Sequence, residues 1–463
     1  MFQSPLKSRR SFLRKLLTGA AVVPLGACHL FDDDKKPLLV GHRVPVTPSH
    51  GGLVVTRSKD ALATPITIPA PLSTTEWPIS GRIPSHIGAN YAWGGLKHRW
   101  SHSIGHSTSE PDLLAFAALG SNGQGVLQAS PVIHDGRIFT LDAAGDVRAF
   151  TWPGMEHRWT FNPKPHRMQS SNLGGGLGVD GDTLYIVDGI AQTVAVEVAT
   201  GKVKWRVNVG TPGRSAPTIE KNRVFFSTLD DRLFAIDATS GHQLWSYDAS
   251  MSSTVMFGAP APAVVDGVVL AGFGSGDLVA LREESGEVVW SDTLGAGNGL
   301  SSPADLACVR SLPVIRNGTA YAMSVASSLV AFDMRSGRRL WERTVAGANP
   351  LLVVEDWLFL ITLDGQVSCL DRLSGDVRWI TQLRQYLRVD AKKDGVAWTG
   401  PVLAGGKLLC VSTLPENGIV TLDPLNGRIL SIDALPAPTT VEPIFSDGQM
   451  LIIDNRGDLN SYG

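Results

Sequence analysis

SAPTIEKNRVFFSTLDDRLFAIDATSGHQLWSYD, residues Ser215 to Asp248, holds the pattern that decides the fold. Apolar residues alternate through RVFFST and RLFAID, and polar turns separate the two runs, which is the signature of short strands with one buried face. A run containing Pro217 precedes them, and QLW follows the turn ATSG. Four short strands are therefore expected from one unit. Asp237 can cap the last turn through its side chain, and Gly241 supplies the left-handed residue that the turn needs.

The same unit recurs as APAVVDGVVLAGFGSGDLVALREESGEVVW, LPVIRNGTAYAMSVASSLVAFDMRSGRRLW and NPLLVVEDWLFLITLDGQVSCLDRLSGDVRW. The turn glycines fall at Gly201, Gly241, Gly286, Gly337, Gly375 and Gly427. Tryptophans fall at Trp205, Trp245, Trp290, Trp341 and Trp379. Both series step by 40, 45, 51 and 38 residues, so the units are blades joined by connections of variable length. A tryptophan on the outermost strand can fill the wedge between neighbouring blades. Pro131, Pro217, Pro262, Pro313, Pro401 and Pro443 sit in the first run of their units, which suits an inner edge strand facing a central channel.

Eight units run from ASPVIHDGRIF to EPIFSDGQMLII, and the last ends after three strands. YAWGGLKHRWSHSIG, Tyr91 to Gly105, carries the Trp100 that the last unit lacks and can supply its fourth strand. Closing the ring in this way leaves no free sheet edge at the junction. The expected fold is all-β, one eight-bladed propeller of four-stranded blades spanning residues 76–463, its ring closed by an N-terminal strand.

Composition agrees. The 463 residues are 43% apolar and 18% charged, with a net charge of −2, which excludes a bulk electrostatic affinity for nucleic acid. The 49 glycines and 28 prolines are spread along the chain, as many turns require. Cys308, Cys369 and Cys410 form no C-x-x-C pair, and the runs QVSCLD and KLLCVST make buried free thiols the expected state of the last two.

At the N-terminus, Lys7, Arg9, Arg10, Arg14 and Lys15 precede the short apolar run LLTGAAVVPLGA, the layout of an export signal over residues 1–27. SRRSFLRK resembles the twin-arginine consensus through Arg9 and Arg10. A general secretion signal with two incidental arginines is the other reading of the same residues. LGAC resembles a lipobox, which makes Cys28 the expected lipidation site and residues 28–75, charged and then proline-rich, an extended tether.

Few residues suggest chemistry. His98, His102 and His106 are spaced by four, which on a helix would suggest a metal face; here they flank Trp100 and Gly105 on the proposed closing strand, where a solvated or packed strand is the expected reading. LGGGLG (Leu173–Gly178) and GFGSGD (Gly272–Asp277) fall where the repeat predicts turns, with no following helix to cradle a phosphate. DNRGD (Asp454–Asp458) reads as a hairpin turn. The longer connections between blades are more informative. ASMSSTVMFGAP carries Met251, Met256 and Phe257. AGNGLSSPADLACVRS carries Leu300, Asp305, Leu306 and Arg310, and QLRQYLRVDAKKDGVAW carries Arg384, Tyr386 and Arg388. Exposed together on one face, these would make a protein-binding patch; folded back, they would plug the loops.

AIDATSGHQLW and its relatives resemble the pyrroloquinoline-quinone-type propeller repeat. Quinone dehydrogenases with that repeat carry an adjacent Cys-Cys pair and a calcium site, and this sequence has neither the pair nor a convincing set of channel carboxylates. The lipobox, the tether and eight such units together resemble the BamB family of outer-membrane β-barrel assembly lipoproteins. The resemblance implies a non-catalytic scaffold on the periplasmic face of the outer membrane of a Gram-negative bacterium, with no cofactor and no metal. It implies one copy within a multiprotein complex, docked on a BamA-type barrel protein with POTRA domains. The docking residues it implies are Met256, Phe257, Asp305, Leu306, Arg310 and Arg384. A quinone-dependent periplasmic dehydrogenase and another ligand-binding periplasmic propeller are the alternatives.

Overall fold

A computed structural model of the chain describes residues 53–56, 64–106, 129–165, 174–251, 258–295, 308–326, 328–391 and 393–463. Arg9, Arg10, Cys28, Met256, Phe257, Asp305 and Leu306 lie outside the described residues. From Ser49 onward the chain forms one compact unit.

Eight antiparallel blades of four strands follow one another around a ring, and blade 7 gains a fifth, parallel strand, Asn90–Tyr91. Blade 3 shows the plan: Thr218–Glu220, Arg223–Ser227, Arg232–Asp237 and Gln243–Asp248 pair in chain order, inside to outside. The second and third strands are buried almost throughout, whereas the outermost strand buries only its tryptophan fully. Blade 8 is built as the sequence predicts. Its own three strands, Ile444–Ser446, Gln449–Ile453 and Asp458–Tyr462, are completed by His98–Ser103, which pairs antiparallel with the third.

Six seams between blades share one joint, and it explains why glycine and tryptophan recur at the same spacing. The Trp205 indole of blade 2 lies against the turn after the third strand of blade 3 and donates its Nε1 hydrogen to the Ala238 carbonyl at 2.9 Å. Gly241 in that turn has φ +76°, and a Cβ there would stand 2.7 Å from the Trp205 ring. Only glycine satisfies both the backbone and the ring. Trp159, Trp245, Trp290, Trp341 and Trp379 dock in the same way, each donating to the carbonyl of Val198, Glu283, Met334, Arg372 or Pro424 at 2.8–3.0 Å. Each joint combines a large buried apolar area with a satisfied indole N–H.

The inside of the ring departs from expectation. Pro131, Pro217, Pro262, Pro313 and Pro443 stand one residue ahead of the innermost strand, and only Pro401 lies within one, Trp398–Ala404. The backbone groups of those strands do not face an open channel. Residues 74–91 pass around the inside of the ring and bond to seven blades in order. The Thr74 carbonyl accepts from Asp447 of blade 8, and Trp77 exchanges two bonds of 2.9 Å with Ile133 of blade 1. Pro78, Pro84 and Ser85 carbonyls accept from Val179, Val264 and Ile315 of blades 2, 4 and 5. Gly88 donates to Val353 of blade 6, and Asn90–Tyr91 runs parallel to Leu403–Ala404 of blade 7. Pairing the inner edges satisfies their orphan N–H and C=O groups.

The folded body also reaches further back than residue 76. Ile66 and Ile68 pack on the core between blades 6 and 7, and the amide of Thr56 donates to the Val377 carbonyl at 2.9 Å. The tether expected over 28–75 is therefore partly part of the propeller. Its apolar residues are too sparse to show a strand period, yet they bury against an existing core.

LGGGLG departs too. Gly175–Asp180 is the innermost strand of blade 2, not a turn. A Cβ at Gly176 would meet the Ala216 Cβ at 2.7 Å, so the glycines serve close approach of two inner strands. GFGSGD and DNRGD do form turns between strands, as expected. Cys308, Cys369 and Cys410 are free and buried.

Candidate functional site

Connections from the outermost strand of one blade to the innermost strand of the next emerge on one face. The turns between the second and third strands join them there. Met251 is 82% exposed on this face, and Val389 is 62% exposed in the blade 6 to blade 7 connection. Leu363, in the blade 6 turn between its second and third strands, and Leu387 are also exposed on this face. Leu363, Leu387 and Val389 were not singled out from the sequence. A single apolar residue in a polar turn carries no period, and only its neighbours in space make it part of a patch.

Arg384 organises this face from within. Its guanidinium donates to the carbonyls of Tyr386 and Leu387, at 3.0 and 2.6 Å, and to Asn417 Oδ1 at 3.2 Å. These bonds hold a small hairpin, Tyr386–Arg388 against Lys393–Gly395, that displays Leu387 and Val389. Arg310 is exposed and makes no hydrogen bond or ion pair among the described residues. It follows Val309, whose backbone bridges Ser324, and it borders the central cavity.

That cavity is about 480 Å³. Ser80 of the internal segment lies at its closed end, and Arg214, Arg310, Asn349, Thr399 and Glu442 project from its wall among small residues. Glu442 is missed by a search for paired carboxylates. Aligning the residue ahead of each inner-strand proline would have found it, because Ser130, Ala216, Ala261, Leu312, Asn349 and Gly400 are uncharged and Glu442 alone is acidic. Its side chain is partly buried, and the loss of hydration there pushes the carboxyl up to about 7. On the far side of the internal segment, His86 is buried, bonds the Pro313 carbonyl through Nδ1 at 2.8 Å, and is lowered to about 4 by burial.

The three histidines have separate partners. His98 lies edge-on to Tyr462, and His102 lies edge-on to Phe150. His106 joins Asp142 and Asp146, a group whose ligand atoms lie within 4.8 Å of one another. Arg148 already spans both carboxylates, with Nη1 2.5 Å from Asp142 Oδ2 and Nη2 2.9 Å from Asp146 Oδ2. Its guanidinium stands where a cation would. Burial alone would raise the Asp142 carboxyl, but donors from the His106 backbone and Arg148 hold it below the usual range. Arg148 also donates to the Ile104 carbonyl at 2.7 Å. The cluster therefore latches the closing strand to blade 1.

Comparison with known proteins agrees with this architecture. BamB from Escherichia coli strain K12 is 26% identical over 343 residues, covering 72% of this chain and 83% of that protein. The crystal structure of BamB from Moraxella catarrhalis superposes with a TM-score of 0.64 at 19% identity, covering 80% of this chain and 99% of that one. A quinohaemoprotein alcohol dehydrogenase from Comamonas testosteroni shares the fold at 12% identity and a TM-score of 0.60, covering 82% of this chain and 76% of that one. The family model described as outer membrane protein assembly factor BamB matches residues 143–381, a little over half of the chain. The protein belongs to the BamB family of outer membrane protein assembly factors.

Proposed function

We propose that this protein is a non-catalytic scaffold of outer-membrane β-barrel assembly, held by a lipid on Cys28 and docked through its connector face on a BamA-type barrel protein. The observation that carries the proposal is the exposure of apolar residues on that face, Met251 in the blade 3 to blade 4 connection and Leu363, Leu387 and Val389 around blade 6. Exposed apolar side chains together with arginine are the composition of a protein interface. Met256, Phe257, Asp305 and Leu306 belong to the connections leading into blades 4 and 5, and Arg310 and Arg384 border the same face. Acyl chains on Cys28 would anchor the protein at about 0.8 kcal/mol per buried CH₂ and leave the propeller free to orient on its partner.

The test pairs capture with stability. Phe257→Asp combined with Arg310→Glu should weaken co-purification of the barrel protein from outer membranes by at least about tenfold while leaving the melting temperature unchanged. Equal loss of melting temperature would make these residues structural. Stoichiometric uptake of pyrroloquinoline quinone with Ca²⁺, coupled to dye-linked alcohol oxidation, would replace the scaffold with a dehydrogenase.

A further inference from the structure

The central cavity holds charges that docking alone does not account for: Arg310 borders both the connector face and the cavity, and Glu442 lies within the cavity. Arg310, leading into blade 5, stands on one side with Arg214, leading into blade 3, and both guanidinia act on the buried Cys308 thiol between them. Glu442, leading into blade 8, stands on the opposite side of the ring. Arg310 and Glu442 each make no hydrogen bond or ion pair among the described residues. The Asp231 carboxylate acts on Arg214, so Arg310 carries the positive pole of the cavity toward blade 5 and Glu442 the negative pole toward blade 8.

Three further features make this a container and not a gap in packing. Its volume of about 480 Å³ lies within the range of small-molecule sites, about 300–1,000 Å³. Its wall is of small residues such as Ala216, Gly258 and Ala261, so backbone groups line the space between the charged poles. Glu442 breaks the rule of its own repeat. The six other blades with an inner-strand proline carry no acid ahead of it, and the eighth keeps one although the loss of hydration disfavours its charged form. A local rule broken at such a cost is a mark of function.

We propose that the central cavity binds a small zwitterionic ligand of peptide chemistry, its carboxylate held by Arg310 beside Arg214 and its ammonium held by Glu442. Arginine presents paired donors to a carboxylate, and Glu442 accepts from an ammonium without a competing protein donor. The ligand enters from the connector face, because residues 74–91 occupy the other end.

The probe is the tripeptide Ala-Ala-Ala, with its N-acetylated and C-amidated forms, titrated into the full-length purified protein by calorimetry with no partner present. The free tripeptide should bind, and either blocked form should bind at least about tenfold more weakly. Arg310→Ala should weaken the free tripeptide by a similar factor. Glu442→Gln should do the same and should abolish the difference between the free and acetylated peptides. Both variants keep the fold, as a melting curve will show, because neither side chain makes a bond to lose. Absence of tripeptide binding, or equal binding of the free and acetylated forms by the unaltered protein, overturns the proposal. Either result leaves docking on the barrel protein untouched, since that is measured by capture from membranes.

Discussion

Six seams of this ring and the two that flank blade 8 solve the same problem in different ways. In a regular seam, the outer tryptophan of one blade reaches forward onto a glycine turn of the next. At the closure the direction reverses. Trp152, in the turn before the last strand of blade 1, reaches back and donates to Ser446 Oγ at 2.9 Å and Asp447 Oδ2 at 2.6 Å of blade 8. Trp100 of the closing strand only leans on that indole, with ring centroids 6.1 Å apart. At the seam from blade 7 to blade 8 the outer strand carries no tryptophan. Ser431 takes the tryptophan position opposite Thr421. The outer strand of blade 8 comes from residues 98–103, so no third-to-fourth-strand turn exists there to receive a ring. The repeat therefore holds between blades each built from one continuous segment and lapses at both seams of the blade assembled from two segments.

The joints can be broken in order of expected effect. Trp290→Ala removes an indole and its bond to Met334 from a regular seam, and should cost about 3–5 kcal/mol in denaturant unfolding. Asp142→Ala removes the acceptor that serves the His106 amide and Arg148 at the closure and leaves that guanidinium half-paired. A loss of about 2–4 kcal/mol is expected, smaller than for the seam because Asp146 still holds Arg148. A closing strand that contributes nothing would show no loss.

The next effect depends on pH. The Glu442 carboxyl is raised from 4.5 to about 7, so its neutral form is favoured by folding. Its contribution is fully present below about pH 4.5 and is lost as pH rises through about 7. Glu442→Gln should therefore stabilise the protein at pH 8, on the order of 1–3 kcal/mol, with a gain that shrinks toward pH 5. A gain independent of pH would show that the carboxyl is not dehydrated. The smallest effect is expected from Ser431→Trp. With no turn to receive the ring, melting should move by less than about 0.5 kcal/mol, whereas a clear stabilisation would mean that the seam has an unseen acceptor.

What could be read from the sequence follows the same division. Each glycine–tryptophan joint is made by side chains at fixed offsets, so the repeat, the blade number and Trp100 on the closing strand were all legible. The internal segment 74–91 was not. It is held by backbone carbonyls such as those of Pro78, Pro84 and Ser85, and such bonds leave no residue signature. LGGGLG looked like a turn because glycine marks both turns and close-packed inner strands. Of the residues expected to dock, Arg310 and Arg384 lie on the connector face, and Arg384 is tied to its own hairpin. Leu387 and Val389 became visible only once that hairpin was formed.

The central claim is that the connector face meets a barrel-assembly protein. A photo-crosslinking amino acid at position 257, activated in native outer membranes, tests it most directly. A single major adduct with the BamA-type subunit, lost when Arg310→Glu is added, is the predicted result. No adduct from 257, with strong adducts instead from the opposite face at position 373, would contradict it.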